Sequence, residues 1–241
     1  MRSPQCLEGL TIKGLLKRDV SRLRAVVLFT LTLASAKAQP LASFLARLDK
    51  IAPKFSTATA HLDWIDHQAV IDTYEKQSGT VVMKRTSGNK VQFVARFTSP
   101  DEYAVALRET TVERYTPLNN LIQEYDISNY RELAQTFMLL GFGTTGRQLQ
   151  ASFEVSSAGS ESISGQNTTH LDLRPRAPDL RKQLSHVELW ISDEIGCAIQ
   201  QKFHFPDGSY KLATFTNLKL NPKLEAGALQ LPKGAKRERV R

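Results

Sequence analysis

The stretch Val91-Gln92-Phe93-Val94-Ala95-Arg96-Phe97-Thr98-Ser99-Pro100-Asp101-Glu102-Tyr103-Ala104-Val105-Ala106-Leu107 places Val91, Phe93, Ala95 and Phe97 on one side of an extended chain. After Ser99-Pro100-Asp101 it does the same with Tyr103, Val105 and Leu107. A period of two is that of a strand with one face buried and one face wet. A Ser-Pro-Asp cluster between two such runs is a reversal signal. The stretch therefore predicts two antiparallel strands joined by a turn.

The same rhythm continues outward on both sides. Upstream it appears in Ala58, Ala60, Leu62 and Trp64, and in Val81 and Met83 leading to Arg85. Downstream it returns between Ser185 and Ile191, with Val187, Leu189 and Ile191 on one face. Further turn signals stand at Ser78-Gly79, Ser87-Gly88-Asn89, Ser164-Gly165 and Asp207-Gly208. Short strands at these intervals, without β–α–β alternation, predict an antiparallel meander closing toward a barrel. Three segments break the rhythm. Leu41, Phe44, Leu45, Leu48 and Ile51 have helical spacing and are stopped by Pro53. Asn129–Leu140 reads as an internal helix ended by Gly141, and Pro178–Leu184 as a short helix or turn. The expected class is α+β, mainly β: a strongly curved antiparallel sheet forming a half-open β-barrel, with an N-terminal helix and inserted lid helices.

The N-terminal region has a different logic. Arg22 and Arg24 precede the apolar run Ala25–Ala34, and Ala36-Lys37-Ala38 then offers a small-x-small cleavage site. That order is a secretory signal peptide over residues 1–38, leaving an exported domain over 39–241. The apolar run is about half of the roughly 20 residues a spanning helix needs. Residues 1–38 carry a net charge of +5 from seven Lys/Arg and two Asp/Glu, so +3 of the chain's +8 remains in the mature part. The strongest positive cluster left is the tail Lys233, Lys236, Arg237, Arg239 and Arg241, which reads as a solvated terminus. Export argues against a nucleic-acid partner. Position 39 is Gln, so the mature N-terminus offers no cysteine for lipidation, and Cys197 is the one cysteine outside the leader.

The candidate catalytic and ligand motifs weaken on inspection. Gly141-Phe-Gly-Thr-Thr-Gly146 spells the dinucleotide fingerprint, but that motif needs a strand before it, and here a helix precedes. It reads as a helix stop followed by a flexible loop. His61, His67, His170, His186 and His204 lack paired ligand spacing, so no metal and no cofactor is expected and the histidines read as sheet-surface residues. Asp63, Asp66 and His67 cluster without a nucleophile motif, and Cys197 has no neighbouring base, so no enzyme is expected. What remains is apolar surface on the inner face of a curved sheet. Inserted helices could fill it as a dry core, or acyl chains could, at about 0.8 kcal/mol per buried methylene. Trp64, Met83, Phe93, Phe97, Phe137, Met138 and Trp190 are the set expected to line such a hydrophobic cavity.

A colinear series of short matches spans most of residues 41–235. It comprises Leu41–Ile51, Gly79-Thr-Val-Val-Met-Lys-Arg85, Tyr115-Thr-Pro117, Phe137-Met-Leu-Leu140, Leu171-Asp-Leu-Arg-Pro175, Val187-Glu-Leu-Trp-Ile-Ser192, Tyr210–Leu218 and Leu231-Pro-Lys-Gly234. In this order the pieces resemble the periplasmic outer-membrane lipoprotein carrier (LolA-like) family, as a divergent member. Thr86 stands where a proline usually follows the Lys-Arg pair, and Arg108-Glu-Thr-Thr111 replaces an Asp-Gly turn. The resemblance implies a half-open barrel of about eleven strands with a helical lid. It also implies a soluble carrier that moves lipoproteins from an inner-membrane exporter to an outer-membrane receptor, a task that suits a monomer. It assigns Arg85 as a latch on lid backbone, a role suited to the five fixed donors of a guanidinium. The alternatives are a carrier or sensor domain on the same scaffold for another lipid or glycolipid, and an exported hydrolase using Asp63, Asp66 and His67.

Overall fold

The computed structural model describes residues 41–86 and 90–240. The predicted signal peptide, Cys6 and the Ser87-Gly88-Asn89 turn signal lie outside the described residues. Helix α1, Leu41–Ile51, has the predicted bounds and buries Phe44, Leu45 and Leu48 along one stripe. The strands are β1 Thr57–Gln68, β2 Thr73–Arg85, β3 Val91–Ser99, β4 Tyr103–Leu107, β5 Thr111–Thr116 and β6 Leu121–Asp126. Helices α2, Arg131–Leu139, and α3, Gly146–Ser152, come next. Strands β7 Phe153–Ile163 and β8 Gln166–Pro175, the turn of helix α4 Pro178–Arg181, and strands β9 His186–Ser192, β10 Ala198–His204, β11 Tyr210–Leu220 and β12 Lys236–Val240 complete the fold.

Among the described residues twelve strands join one curved sheet that does not close, in the order β12-β6-β5-β4-β3-β2-β1-β11-β10-β9-β8-β7. Every neighbouring pair is antiparallel except β12 with β6, which is parallel. The helices share one face, here called the inner face. Its register is continuous across the sheet: Leu189 pairs with Gln201, Gln201 with Ala213, Ala213 with Trp64, and Trp64 with Gln77. Because side chains alternate, this one chain of pairs sets the facing of residues on five strands.

Two predictions about the strands need correction. Ser78-Gly79 is no turn: it lies within β2, at a register shift against β3. A Cβ on Gly79 would sit 1.9 Å from the Arg96 carbonyl oxygen, so the glycine serves a close strand approach. The basic tail is not a frayed terminus. Residues 222–235 run over the outer face of β3–β6, where Leu231 packs on Val94, Ala104, Ala106 and Ile122. The chain then forms β12, and Arg237 ties it to Glu113 (2.8 Å) and to Glu124. Glu113 is itself buried and also accepts from Arg108 Nε at 2.9 Å. Burying this carboxylate costs little because two guanidinium groups flank it. The twelve strands accord with the half-open barrel of about eleven that the resemblance implied.

Candidate functional site

The inner face has two halves of different character. Over β8–β10 it is a dry core: Leu171, Leu173, Val187, Leu189 and Ile191 are buried beneath α1 and α3. Arg47 of α1 donates to the Asp193 carbonyl and carboxylate at 3.1 and 3.2 Å, which pins that helix to the β9–β10 turn. A Cβ on Gly146 would stand 2.5 Å from the Leu45 carbonyl oxygen, so α3 crosses α1 backbone to backbone. Thr145 and Gln148 cap α3 reciprocally, with Gln148 N donating to Thr145 Oγ1 at 3.1 Å and Thr145 N to Gln148 Oε1 at 2.9 Å.

On the remaining strands burial is mixed, with Leu62, Val81, Met83, Ala95, Phe97 and Leu107 fully buried among less covered neighbours. Trp64, Phe93, Tyr103, Val112, Phe137, Met138 and Phe203 are half-buried and flank the dry core. Phe137 of α2 meets Phe203 of β10 edge to face at 5.8 Å between centroids. Beside α2, a cleft of about 620 Å³ opens between Phe137, Phe153, Leu180, Arg131 and Arg176. That volume falls within the roughly 300–1,000 Å³ of small-molecule sites. Of the half-buried row only Phe137 lines this cleft, whose far wall is Ala151, Ser152, Phe153, Arg176, Ala177 and Leu180 beside the ends of β7 and β8.

Three hydrogen bonds hold the loop after α2. Gln201 on β10 donates its side-chain amide to the Leu140 carbonyl, Ala198 N donates to the Gly141 carbonyl at 2.8 Å, and Arg85 donates to the Gly143 carbonyl. The second arm of Arg85 donates to the Ala52 carbonyl at 3.2 Å, and its guanidinium lies over the Phe55 ring at 5.4 Å. Burial draws the Arg85 pKa down, with Cys197 opposing. The structure therefore places the residue assigned as a latch on the backbone of the α2–α3 loop and at the end of α1. Between the anchors, Phe142 plugs into the core against Phe55 and Phe215 at 6.4 and 5.0 Å. The predicted flexible loop is pinned, and its last glycine opens a helix.

No family model matches the chain, and no curated protein matches it. Its fold is shared with known structures. An uncharacterized conserved protein from Thermus thermophilus superposes with a TM-score of 0.51 at 14% identity, covering 83% of this chain and 98% of that one. MucB, known in complex with MucA from Pseudomonas aeruginosa, superposes with a TM-score of 0.51 at 13% identity over 81% of this chain. This chain spans 64% of the length of MucB. A putative outer membrane lipoprotein-sorting protein domain from Vibrio parahaemolyticus superposes more loosely, at TM-score 0.42 and 11% identity over 80% of this chain and 96% of that one.

Of the seven residues expected at a cavity, Trp64, Phe93, Phe137 and Met138 lie in the half-open part of the inner face. Phe97 is buried and stacks on Tyr103 at 4.7 Å, and Met83 belongs to the fully buried core. Trp190 is a correction: it pairs with Gln200 and stacks on His170 at 4.2 Å on the outer face. Leu189 and Ile191 point inward, so alternation puts Trp190 on the other side. Gln201 was missed, and a lone glutamine at an inward position of β10 was its only signal. The imagined hydrolytic group does not assemble. Asp63 and His67 face outward, whereas Asp66 faces inward and pairs with Lys211.

Cys197 lies under the pinned loop and is buried. Burial raises its pKa to about 12, against smaller lowering effects of a Gly143 backbone hydrogen bond and the Arg85 charge. A thiol that ionises only near that value is protonated throughout the neutral range and is a poor nucleophile. With iodoacetamide at pH 8, peptide mapping should find Cys197 unmodified in the folded protein after an hour and fully alkylated in urea. Rapid native labelling would show that the loop opens without a ligand.

Proposed function

We propose that the protein is a periplasmic carrier that shelters the acyl chains of lipoproteins or other lipids in the groove beneath α2, with α2 as its lid. The observation that carries this reading is the contrast between the halves of the inner face. The inward residues of β8 and β9 are fully buried, whereas Trp64, Phe93, Tyr103, Val112 and Phe203 on other strands and Phe137 and Met138 of α2 are only partly buried, and Phe137 also lines an open cleft. Contiguous apolar surface of this kind, bounded by polar residues, is what a hydrophobic ligand needs. Sheltering eight methylenes contributes roughly 6 kcal/mol, which needs no specific chemistry. No helix among the described residues is long and apolar enough to cross a membrane. The reading contains no catalytic step. In its finer form, suggested by the sequence resemblance, the carrier takes lipoproteins from an inner-membrane exporter and delivers them to an outer-membrane receptor.

The test is native mass spectrometry of the purified chain with a triacylated peptide, a diacylated peptide and a glycolipid. One acylated peptide per chain is expected. Phe93→Ser and Phe203→Ser should each weaken uptake about tenfold without loss of folding, because both residues are only half-buried. Exclusive uptake of the glycolipid would redirect the reading to a carrier or sensor of that lipid. Failure of the parent protein to take up any of the three would remove the proposal.

A further inference from the structure

All five histidines of the chain lie on the outer face, the one without helices. His61 and His67 alternate with inward Leu62 and Trp64 on β1, and His170 with Leu171 on β8. His186 and His204 are direct cross-strand partners on β9 and β10, with rings stacked 4.0 Å apart. Glu188 follows His186 by two residues and therefore shares its face. Its Oε1 lies 2.6 Å from His204 Nε2. One ligand atom from each of His186, Glu188 and His204 lies within 4.8 Å of the other two. Ligands bound to one zinc at 2.0–2.2 Å stand roughly 3.4 Å apart, so modest side-chain rotations close the set.

Further ionisable groups stand behind these three residues. The second oxygen of Glu188 is 2.8 Å from His170 Nε2, and His170 Nδ1 is 2.8 Å from Glu161 Oε1. The His170 ring is held flat against Trp190. His170 Nε2 makes no hydrogen bond, so it stands beside Glu188 at ion-pair distance without a directed bond to it. Negative charge is also in excess. Asp172 is the cross-strand partner of Glu188, and like charges in that position repel unless a cation lies between them. One Asp172 oxygen, Oδ1, is buried without a hydrogen-bond partner, and its nearest cation, Arg174, is 4.0 Å from the other oxygen. Lys202, opposite Glu188 in register, places its ammonium over the Tyr210 ring at 4.3 Å.

We propose that His186, Glu188 and His204 bind a borderline divalent transition-metal ion, of which Zn²⁺ is the natural candidate, on the outer face of the sheet. Two imidazoles and one carboxylate suit zinc, and three protein ligands leave a fourth position for water or for a group from a partner. The site is independent of the groove, because the two lie on opposite faces of the sheet.

The test uses the tag-free full chain, titrated with Zn²⁺ by calorimetry and with Co²⁺ by visible absorption. One ion per chain is expected, with Co²⁺ giving the intense bands of a four-coordinate site. His204→Ala and the near-isosteric Glu188→Gln should each weaken Zn²⁺ binding tenfold or more, with the circular dichroism spectrum of Glu188→Gln unchanged. His61→Ala should bind as the parent does. No binding below millimolar Zn²⁺ by the parent, or a change of less than tenfold in both ligand variants, would overturn the assignment.

Discussion

Phe142→Ala is expected to destabilise the protein by about 3–5 kcal/mol, the range for removing a fully buried aromatic ring from a core that cannot collapse around the gap. The ring is 1% exposed and lies between Phe55 and Phe215, so it joins the end of α1 to the sheet beneath. Collapse is resisted because the backbone on either side is tied down, at Gly141 by Ala198 and at Gly143 by Arg85. At roughly 2–4 °C per kcal/mol for a domain of this size, the melting temperature should fall by about 10 °C. Urea denaturation provides the free energy directly. A loss below about 1 kcal/mol would mean that the loop relaxes into the vacated space, contrary to a pinned lid.

The second large effect is expected at the contact between Gly143 and Arg85. Gly143 has φ +75°, and a Cβ there would come within 2.2 Å of Arg85 Nη2. Gly143→Ala therefore combines left-handed backbone strain of about 1–2 kcal/mol with expulsion of the guanidinium from its carbonyl. A hydrogen bond to a charged group is worth about 1.5–3 kcal/mol, so the total should be roughly 3–4 kcal/mol. Arg85→Met loses the hydrogen bonds without the strain and should cost about 2 kcal/mol. The double variant should lose clearly less than the sum of the two, because both break the same contact. Each variant should also make Cys197 alkylate at pH 8. Additive losses with Cys197 still protected would show that Arg85 is an ordinary surface arginine and that α2 is held by Gln201 and Ala198 alone.

Helix α1 was legible to the residue, because its apolar positions repeat at helical spacing and Pro53 stops it. The strands containing Leu62, Val81, Phe93, Val105 and Leu189 were legible because each alternates cleanly. Ser164-Gly165 and Asp207-Gly208 were legible as turns, and the structure gives Ser164, Gly165 and Gly208 positive φ. Gly79 was misread because a glycine needed for close strand approach and a glycine needed for a turn look alike in sequence. Strand β7, with its run Ser156–Ser162 exposed to solvent on most positions, has little apolar signal to read. The tail was misread because its pairing with β6 depends on Glu113 and Glu124, more than a hundred residues away.

Alternation and helical spacing in the sequence were enough to determine a mainly β sheet with an apolar face and helices to cover it, since side-chain facing along a strand or helix is a local property. Which strands are neighbours, which half of the inner face is sealed, and which side of the sheet holds the histidines were decided only in three dimensions. The physical reason is that these features depend on register between segments far apart in the chain. A shift of one residue in that register moves every side chain of a strand to the opposite face.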